Sequence, residues 1–533
     1  GRPDRGRGLC GGRDTVMERE VYGREEVPLL TAAEAAAWDR EARERHGVPE
    51  RVLMENAGRS AALVLARLFP EGRVVAAVGG GNNGGDALVA LRTLAAWGRE
   101  VAYVVAGSRS PDAALAHGRP VAELSREEAE RAFAHAGVLV DGLLGTGASG
   151  APRGDVAWCI EAMNRSGRPI VALDLPSGID PTTGAVPGVA VQAAVTVTFG
   201  APKQGLLFHP GRERCGRIVA VEIAFPPALP EGAPAGQLIT PGWAAARLPA
   251  RPATAHKGTA GWLLVVAGRK GMAGAAALSA RGAIRAGAGL VMVASAADNR
   301  VILQSANPEA LFVEREDAAA LAAAVGRVEA LVVGPAIGVG AAEAELLDRL
   351  LDAAAGKPVL LDADAITLMA ESPERLRRAV ARGPVVLTPH PGEMARLTGR
   401  TVADITAAPL ATARDLANET GCVVLLKGQP SVVAAPGESV LSNSVGSSDV
   451  AAAGMGDQLA GTIGAFLAAG APARSAAALG LFYSGRAADI AARGRSLSPM
   501  DVAAHLHRAM ADPGPAASAL ELPFVTFDQP PRW

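Results

Sequence analysis

Short apolar runs rich in β-branched residues alternate with helical patterns along most of this chain, and this alternation constrains the fold more than any other feature. When a helix connects two consecutive strands, the second strand lies parallel to the first in the same sheet. The sequence therefore predicts an α/β fold with a parallel sheet in each half. The strand-like runs that carry this prediction are 73–78, 101–105, 138–141, 170–174, 194–199, 262–266, 290–294, 330–333, 359–361, 385–387 and 423–426.

A proline-rich segment separates the two halves. Seven prolines lie between Pro226 and Pro252, where helical and strand periodicity are lost, as is typical of a linker. The length of 533 residues accommodates roughly two to four domains. We expect two domains that fold independently. The predicted segments are a disordered or vector-derived N-terminus at 1–26, a first domain at 27–226, the linker at 227–236, a second domain at 237–512 and a C-terminal tail at 513–533.

The composition excludes several classes of protein. Hydrophobic residues make up 49% of the chain and charged residues 20%, which is typical of a folded globular protein. The net charge of −2 provides no basic field to bind nucleic acid or an anionic membrane. The cysteines form no CxxC pair, which favours a reducing compartment over a disulfide or zinc framework. We expect a cytoplasmic protein with small-molecule substrates and no transmembrane helix, and the sequence leaves open whether it forms a homo-oligomer.

Three polar, glycine-rich loops follow strands of the first half. The segment GGGNNGGD at 79–86 joins a strand to a helix, where backbone N–H groups can bind an anion. The other two loops follow strands that end at Asp141 and Asp174, so both carboxylates lie where ligands bind in open α/β sheets. They can serve in acid/base catalysis or bind a cation. As alternatives, the first loop is a tight turn capped by Asp86, and each carboxylate caps its own loop.

Four motifs of the first half, NNGGD, VDGLLGTG, DLPSGID and VTVTFGAPKQGLL, together resemble the YjeF N-terminal domain of the NAD(P)H-hydrate epimerase family. The resemblance implies a Rossmann-like domain that interconverts the R and S forms of hydrated NADH or NADPH. It implies that Asp174 is the catalytic acid/base, and that Asn83, Asp141 and Ser177 bind a potassium ion through oxygen atoms. The residues implied to contact the damaged nucleotide are Asn82, Asn83, Gly84, Gly85, Asp86, Gly145, Thr146, Gly147, Ala148, Ser149, Gly150, Ala151 and Asp174.

In the second half, the segment AAAGMGDQLAG passes from glycines into a helix with Asp457 at its start. A helix N-terminus beside a carboxylate favours phosphoryl transfer, in which the carboxylate accepts the proton of the attacking hydroxyl. The plain alternative is an N-cap aspartate. His390, Asp362 and Lys427 lie in further motifs, and each has a structural alternative: a packed turn histidine, a helix cap and a solvated strand end. The motifs that make a common site the better explanation are HKGTAGWLLVVAG, VVGPAIG, LDADAIT, VLTPHPGEMARLTG and VVLLKGQPSVV.

This second set resembles the YjeF C-terminal domain, the ADP-dependent (S)-NAD(P)H-hydrate dehydratase, which is related to the ribokinase-like kinases. The resemblance implies that Asp457 is the catalytic carboxylate and that Gly338 and His390 contact the hydrated nucleotide beside it. One departure from the usual pattern is Arg269, where a serine is common. The residues implied to bind ADP are Lys427, Gly428, Gln429, Pro430, Ser431 and Gly456.

Together the two resemblances imply a bifunctional nicotinamide-nucleotide repair enzyme. The first domain would epimerise hydrated NADH and NADPH with the help of K⁺, and the second would dehydrate the S form at the expense of ADP, giving AMP and phosphate. Mg²⁺ is expected with ADP, although the sequence assigns it no protein ligand. The alternative is a ribokinase-like kinase of a vitamin or another small molecule, with a non-catalytic N-terminal binding module. The preferences for ADP over ATP and for NADH over NADPH stay open.

Overall fold

The computed structural model describes residues 27–530 except 108–120, 228, 230–231, 233, 252, 255, 257, 259 and 516–517. The N-terminus at 1–26 and part of the predicted linker therefore lie outside the described residues.

Helices and strands alternate through both halves, as the sequence predicts. The strands are β1 Val27–Leu29, β2 Val74–Val78, β3 Val101–Val105, β4 Ala122–Glu123, β5 Val138–Gly142, β6 Ile170–Leu173, β7 Val195–Phe199, β8 Arg217–Val221, β9 Gly236–Ile239, β10 Trp262–Val266, β11 Leu290–Ser295, β12 Leu311–Glu314, β13 Ala330–Val333, β14 Val359–Leu361, β15 Val385–Leu387, β16 Val423–Leu426, β17 Val432–Ala434, β18 Val440–Asn443 and β19 Val525–Gln529. The helices are α1 Ala32–Glu44, α2 Glu50–Leu68, α3 Asn82–Ala96, α4 Arg126–His135, α5 Gly154–Arg165, α6 Pro241–Arg247, α7 Ala273–Arg285, α8 Arg300–Ala306, α9 Ala318–Arg327, α10 Ala341–Ala353, α11 Asp364–Ala370, α12 Pro373–Arg382, α13 Pro391–Thr398, α14 Val402–Ala407, α15 Pro409–Thr420, α16 Met455–Ala468, α17 Ala473–Ala491 and α18 Pro499–Ala511.

The first domain is built on an eight-stranded sheet in the order β19-β8-β7-β6-β5-β2-β3-β4. The strands from β8 to β4 are all parallel. Strands β2 and β5 are buried along their whole length, because helices cover both faces of a parallel sheet. The polar loops at the carboxyl ends of β2, β5 and β6 therefore meet at one edge of the sheet.

The second domain contains an eleven-stranded sheet in the order β1-β9-β18-β17-β16-β15-β14-β13-β10-β11-β12. Its strands from β16 to β12 are parallel, and β17 pairs antiparallel with β16. Helices α7, α16 and α17 bury small side chains against this sheet, which matches the alanine-rich patterns of those segments. The predicted α/β fold with parallel sheets is confirmed for both halves.

The two ends of the chain are exchanged between the sheets, and this corrects two of the predicted segment assignments. Strand β1, which was assigned to the first domain, pairs antiparallel with β9 in the second sheet. Strand β19, which was assigned to a C-terminal tail, pairs antiparallel with β8 in the first sheet. Gly236, placed at the end of the linker, opens β9. Each sheet is thus closed on one side by a strand from the opposite end of the chain.

The helix starts show which local signals were reliable. Thr31 caps α1 through a capping box with Glu34, the arrangement that a threonine three residues before a glutamate favours. Helix α3 begins at Asn82, so the second half of the segment 79–86 is helical and does not belong to the connecting loop. None of the helices in the described ranges is long and apolar enough to span a membrane.

Candidate functional site

The first candidate site begins at the N-terminus of α3. Gly81 precedes the helix and offers no side-chain cap, and the first N–H groups of any helix lack acceptors within it. Gly84 packs so closely that a Cβ there would lie 1.9 Å from the carbonyl oxygen of Gly79. The predicted anion cradle from Asn82 to Asp86 is therefore the first turns of a helix rather than a free loop. Its N–H groups still point towards the polar edge of the sheet.

Asp174 lies directly after β6 and is buried beside a lysine. Its backbone is in the left-handed region, with φ of 64°, a strained conformation that is concentrated at functional sites when the residue is not glycine. Its carboxylate forms a buried ion pair with Lys203. The Lys203 ammonium also donates to the carbonyl oxygen of Phe199 at 2.9 Å and to Oγ1 of Thr198 at 3.1 Å. These contacts fix the Asp174 side chain and satisfy the lysine.

Asp141, Ser177 and Asn83 form a second buried group at the same edge. The Ser177 hydroxyl and backbone N–H donate to the two Asp141 carboxylate oxygens at 2.6 and 2.8 Å. Burial raises the pKa of Asp141 to about 6 despite these hydrogen bonds. Nδ2 of Asn83 donates to the carbonyl oxygens of Leu144 and Leu173 at 2.8 and 3.1 Å. Oδ1 of Asn83 is buried and has no hydrogen-bond partner among the described residues.

This donor set fits a hard monovalent cation. Amide, carboxylate and hydroxyl oxygens are the ligand types that such a cation prefers. An orphaned buried carbonyl oxygen is costly unless something binds it, and a cation at Oδ1 of Asn83 would remove that cost. Within the described ranges, no three His, Cys, Asp or Glu side chains converge to hold a metal ion. A cation here would therefore depend on the amide and hydroxyl oxygens as well as on Asp141.

Asp86 and the loop after β5 complete the first site. Burial, and next the negative charge of Asp174, raise the pKa of Asp86 well above its usual range. This environment favours the neutral form of the Asp86 carboxyl beside the ion-paired carboxylate of Asp174. Gly145 lies against Asn83, since a Cβ at Gly145 would be 3.4 Å from that of Asn83. The rest of the loop through Ala151 is mostly exposed and borders the site from outside.

The second candidate site is centred on the N-terminus of α16. Gly454 precedes this helix in the left-handed region, with φ of 82°, and a Cβ there would be 3.9 Å from Oδ2 of Asp457. Asp457 lies in the first turn, where the positive end of the helix dipole stabilises a negative charge. Burial, and then the neighbouring carboxylate of Asp362, raise the pKa of Asp457 to about 6. A carboxylate tuned close to neutral pH is well suited to accept a proton.

Lys427 connects the carboxylates of this site. Its ammonium lies 2.9 Å from Oδ1 of Asp362 and 4.0 Å from Oε2 of Glu393. Oγ1 of Thr388 donates to the same Asp362 oxygen at 2.7 Å. Burial lowers the pKa of Lys427, but these carboxylates outweigh it and the net pKa is raised. The lysine is therefore a paired cation, and Asp362 is an ion-pair partner rather than a helix cap.

The predicted contacts of the hydrated nucleotide lie after two strands of the second sheet, Gly338 after β13 and His390 after β15. His390 caps α13 by accepting the N–H groups of Gly392 and Glu393 on Nδ1, and its ring is half-exposed. His390 therefore has a structural role as a helix cap, and this role leaves its half-exposed ring free to line the site as well. Gly338 donates its N–H to Oδ2 of Asp364 at 2.8 Å. Gly338 is thereby held by the segment that carries Asp362.

A cavity of about 1020 Å³ opens beside this site. Its volume is at the upper end of the range for small-molecule sites. Gly338 and Asp457 are not among its lining residues. The lining includes all the residues predicted to bind ADP, together with His390: Lys427, Gly428, Gln429, Pro430, Ser431 and Gly456.

Comparison with known proteins follows the same division of the chain. A family model described as YjeF-related protein N-terminus matches residues 50–205, and one described as NAD(P)H-hydrate dehydratase matches residues 263–510. The bifunctional NAD(P)H-hydrate repair enzyme Nnr of Moorella thermoacetica is 36% identical over 502 residues, which cover 89% of this chain and 94% of that protein. The chain belongs to the bifunctional NAD(P)H-hydrate repair enzymes.

Other members of the family show similar agreement. The repair enzyme Nnr of Escherichia coli K12 is 35% identical over 460 residues, covering 85% of this chain and 88% of that protein. Among solved structures, the ADP/ATP-dependent NAD(P)H-hydrate dehydratase of Bacillus subtilis, co-crystallised with ATP and Mg²⁺, is 28% identical. It covers 51% of this chain and 96% of its own, with a TM-score of 0.45. The identity to the two Nnr enzymes confirms the family membership that the motifs predict.

Sequence reasoning left out several residues that the structure places in these repair-enzyme sites. Lys203 stands in the motif VTVTFGAPKQGLL, where a single charge among apolar and small residues was the available signal. Glu393 lies near Lys427, but its carboxylate also accepts the backbone N–H of His390 in the helix cap. In the sequence it therefore looks like a capping residue only. The first domain also contributes to the cavity of the second, and no sequence pattern indicates this. The lining residues from the first domain and from β19 are Gln192, Leu207, His209, Arg212, Glu213, Arg214, Gly216 and Gln529.

Proposed function

We propose that this chain repairs hydrated NADH and NADPH in two linked reactions. The first domain interconverts the R and S epimers at C6 of the hydrated ring, and the second dehydrates the S form with ADP. The observation that carries the proposal is the cavity lined by every predicted ADP residue, next to a carboxylate whose pKa is raised to about 6. Membership of the repair family supports the assignment of the substrates.

In the second domain, Asp457 accepts the proton of the C6 hydroxyl while that oxygen attacks the β-phosphorus of ADP. The bond to the bridging oxygen breaks and AMP leaves. The ring nitrogen lone pair then expels phosphate from C6, and loss of the C5 proton restores the double bond. Phosphate leaves far more easily than hydroxide, which explains why a nucleotide is consumed. Mg²⁺ bound with ADP would neutralise phosphate charge.

In the first domain, Asp174 takes the proton of the C6 hydroxyl and passes it to the ring nitrogen as the bond between that nitrogen and C6 breaks, which leaves an aldehyde at C6. The nitrogen then re-forms the bond on the other face of the aldehyde, and the proton returns to the oxygen through Asp174. Lys203 fixes the Asp174 carboxylate throughout. The helix N-terminus at Asn82 and the loop from Gly145 to Ala151 bind the phosphates and ribose of the damaged nucleotide. Asn83, Asp141 and Ser177 hold K⁺, which supplies a fixed positive charge beside the anionic substrate. We expect the protein to act in the cytoplasm, where these nucleotides are used.

The test is to incubate separated R and S epimers of hydrated NADH with ADP or ATP and to follow the absorbance of the restored reduced ring. We expect both epimers to be consumed, with AMP and phosphate formed in equal amounts when ADP is used. A stable phosphomonoester would identify a kinase instead. Consumption of the S form alone would show that the first domain is not an epimerase.

Replacing K⁺ with Li⁺ in the same assay tests the cation site. We expect the R form to be consumed more slowly while turnover of the S form stays unchanged. Asn83→Ala should reproduce this effect in the presence of K⁺. Equal rates in both salts would contradict the K⁺ assignment.

A further inference from the structure

One wall of the ADP cavity belongs to the first domain. Arg214 is the last residue of the short 3₁₀ helix Gly211–Arg214 that precedes β8, and Gln192 lies in the loop before β7. Both line the same cavity as the segment from Lys427 to Ser431. Strand β19 attaches this wall to the second domain, because Nε2 of Gln529 donates to the carbonyl oxygen of Ser444 at 3.0 Å. The cavity is therefore completed only when both domains are in place.

The positively charged side chains that line the cavity differ in whether they already have partners within the protein. Lys427 is paired with Asp362 and lies near Glu393. Arg212 is buried, and its guanidinium donates to the carbonyl oxygens of Gly216 and Pro530 at 2.8 and 3.1 Å. Both cations have internal partners, so neither brings an uncommitted charge to an anionic ligand.

Arg214 differs from these two cations. It is half-buried, and its guanidinium makes one hydrogen bond among the described residues, to Oε1 of Gln192 at 3.0 Å. An arginine side chain has five N–H donors, so most of those of Arg214 stay available. The carboxylate of Glu213, the only one among the described lining residues, is 71% exposed and lies 3.3 Å from His209. It does not neutralise Arg214.

We infer that Arg214 of the first domain binds the phosphate groups of the ADP molecule held by the second domain. The inference rests on the proposed use of ADP. Beside the cavity, three carboxylates, of Asp362, Glu393 and Asp457, surround the one lysine that lines it, Lys427, so a diphosphate bound there lies next to excess negative charge. It therefore needs further positive charge, which an arginine fork supplies through paired hydrogen bonds to phosphate oxygens. The first domain thereby sets the affinity of the second domain for its co-substrate.

The test compares Arg214→Ala with Arg165→Ala in the full-length protein. Arg165 belongs to the same domain, is 58% exposed and pairs with Glu161 away from the cavity, so its removal is a matched loss of charge. Binding of ADP with Mg²⁺ is measured by titration calorimetry, and KM and kcat of dehydration are measured with the S epimer. Epimerisation rate and melting temperature report whether each variant is folded.

We expect Arg214→Ala to raise Kd and KM for ADP about 10-fold or more, the usual effect of losing a charged hydrogen bond. The kcat and the KM for hydrated NADH should stay unchanged, and Arg165→Ala should bind ADP within about 2-fold of wild type. Arg214→Ala with wild-type ADP affinity would overturn the inference and leave the proposed function intact. A wild-type protein that binds neither ADP nor ATP would overturn the proposed function, and this inference with it.

Discussion

The two sites use the same pair of residue types in opposite ways. In the first site, Lys203 forms its ion pair directly with Asp174, the proposed catalytic residue. In the second, Lys427 is paired with Asp362 and lies near Glu393, while Asp457 stands beside this group with its pKa raised to about 6. Both lysines are buried or nearly so, and both follow strands of a parallel sheet.

This difference matches the chemistry that each site is proposed to perform. A carboxylate fixed by a lysine keeps its position while it takes a proton from the substrate and returns it. A carboxylate that lacks its own cation has a raised pKa and accepts a proton more readily once it is ionised. Reversible epimerisation and one-way phosphoryl transfer therefore correspond to the two arrangements.

The largest effect is expected from Asp457→Asn. The substitution keeps the side-chain shape but removes the proton acceptor, which typically costs about 10²-fold to 10⁴-fold in rate. Dehydration of the S epimer is measured by the return of reduced-ring absorbance, and epimerisation by separating the two epimers. Epimerisation should be unaffected. Dehydration at more than about a third of the wild-type rate would show that Asp457 is not the base.

Asp174→Asn should have the opposite effect: epimerisation is lost and dehydration is kept. Consumption of the R form should fall to the rate of spontaneous epimerisation, because the reacting proton has lost its carrier, while dehydration of pure S form continues at the wild-type rate. The substitution also leaves Lys203 without its anionic partner, so the melting temperature is recorded alongside. If an epimer mixture is still consumed completely at the wild-type rate, Asp174 has only a structural role.

A smaller effect is expected from pH. Because the pKa of Asp457 is raised to about 6, its base form is lost as the pH falls through that value. The kcat for the S form should fall about 10-fold between pH 7 and pH 5 and level off above pH 7. The residual activity of Asp457→Asn should not show this dependence. A wild-type profile that stays flat down to pH 5 would contradict the raised pKa.

The smallest effect is expected from cutting the chain between Pro226 and Gly236. The sequence predicts two separable fragments, but the structure places β1 in the second sheet and β19 in the first. We expect the cut protein to elute as one species in size-exclusion chromatography and to keep both activities. Two separate peaks under native conditions would show that the exchanged strands do not hold the halves together, and would restore the picture of independent domains.

Local periodicity predicts the interior of this molecule well. The runs 101–105 and 262–266 match β3 and β10 without change, because parallel strands that are buried at all but one end residue have an unbroken apolar pattern. Asp141, Asp174 and Asp457 could be found because each ends an apolar segment or starts a helix. The short edge strands β1 and β19 could not be assigned to a sheet, since their pairing depends on segments distant in the sequence. The first-domain wall of the ADP cavity, with Arg214, is hidden for the same reason.

The exchanged strands also determine the order in which the molecule can be completed during synthesis. The pairing between β8 and β19 joins residues as far apart as Ala220 and Thr526, which are separated by 306 positions. The first domain emerges from the ribosome long before β19, so the edge of β8 is exposed while the second domain is made. Unpaired strand edges invite association with other chains. Rapid folding of the second domain therefore protects the first, and a chain that stops early leaves the epimerase sheet open.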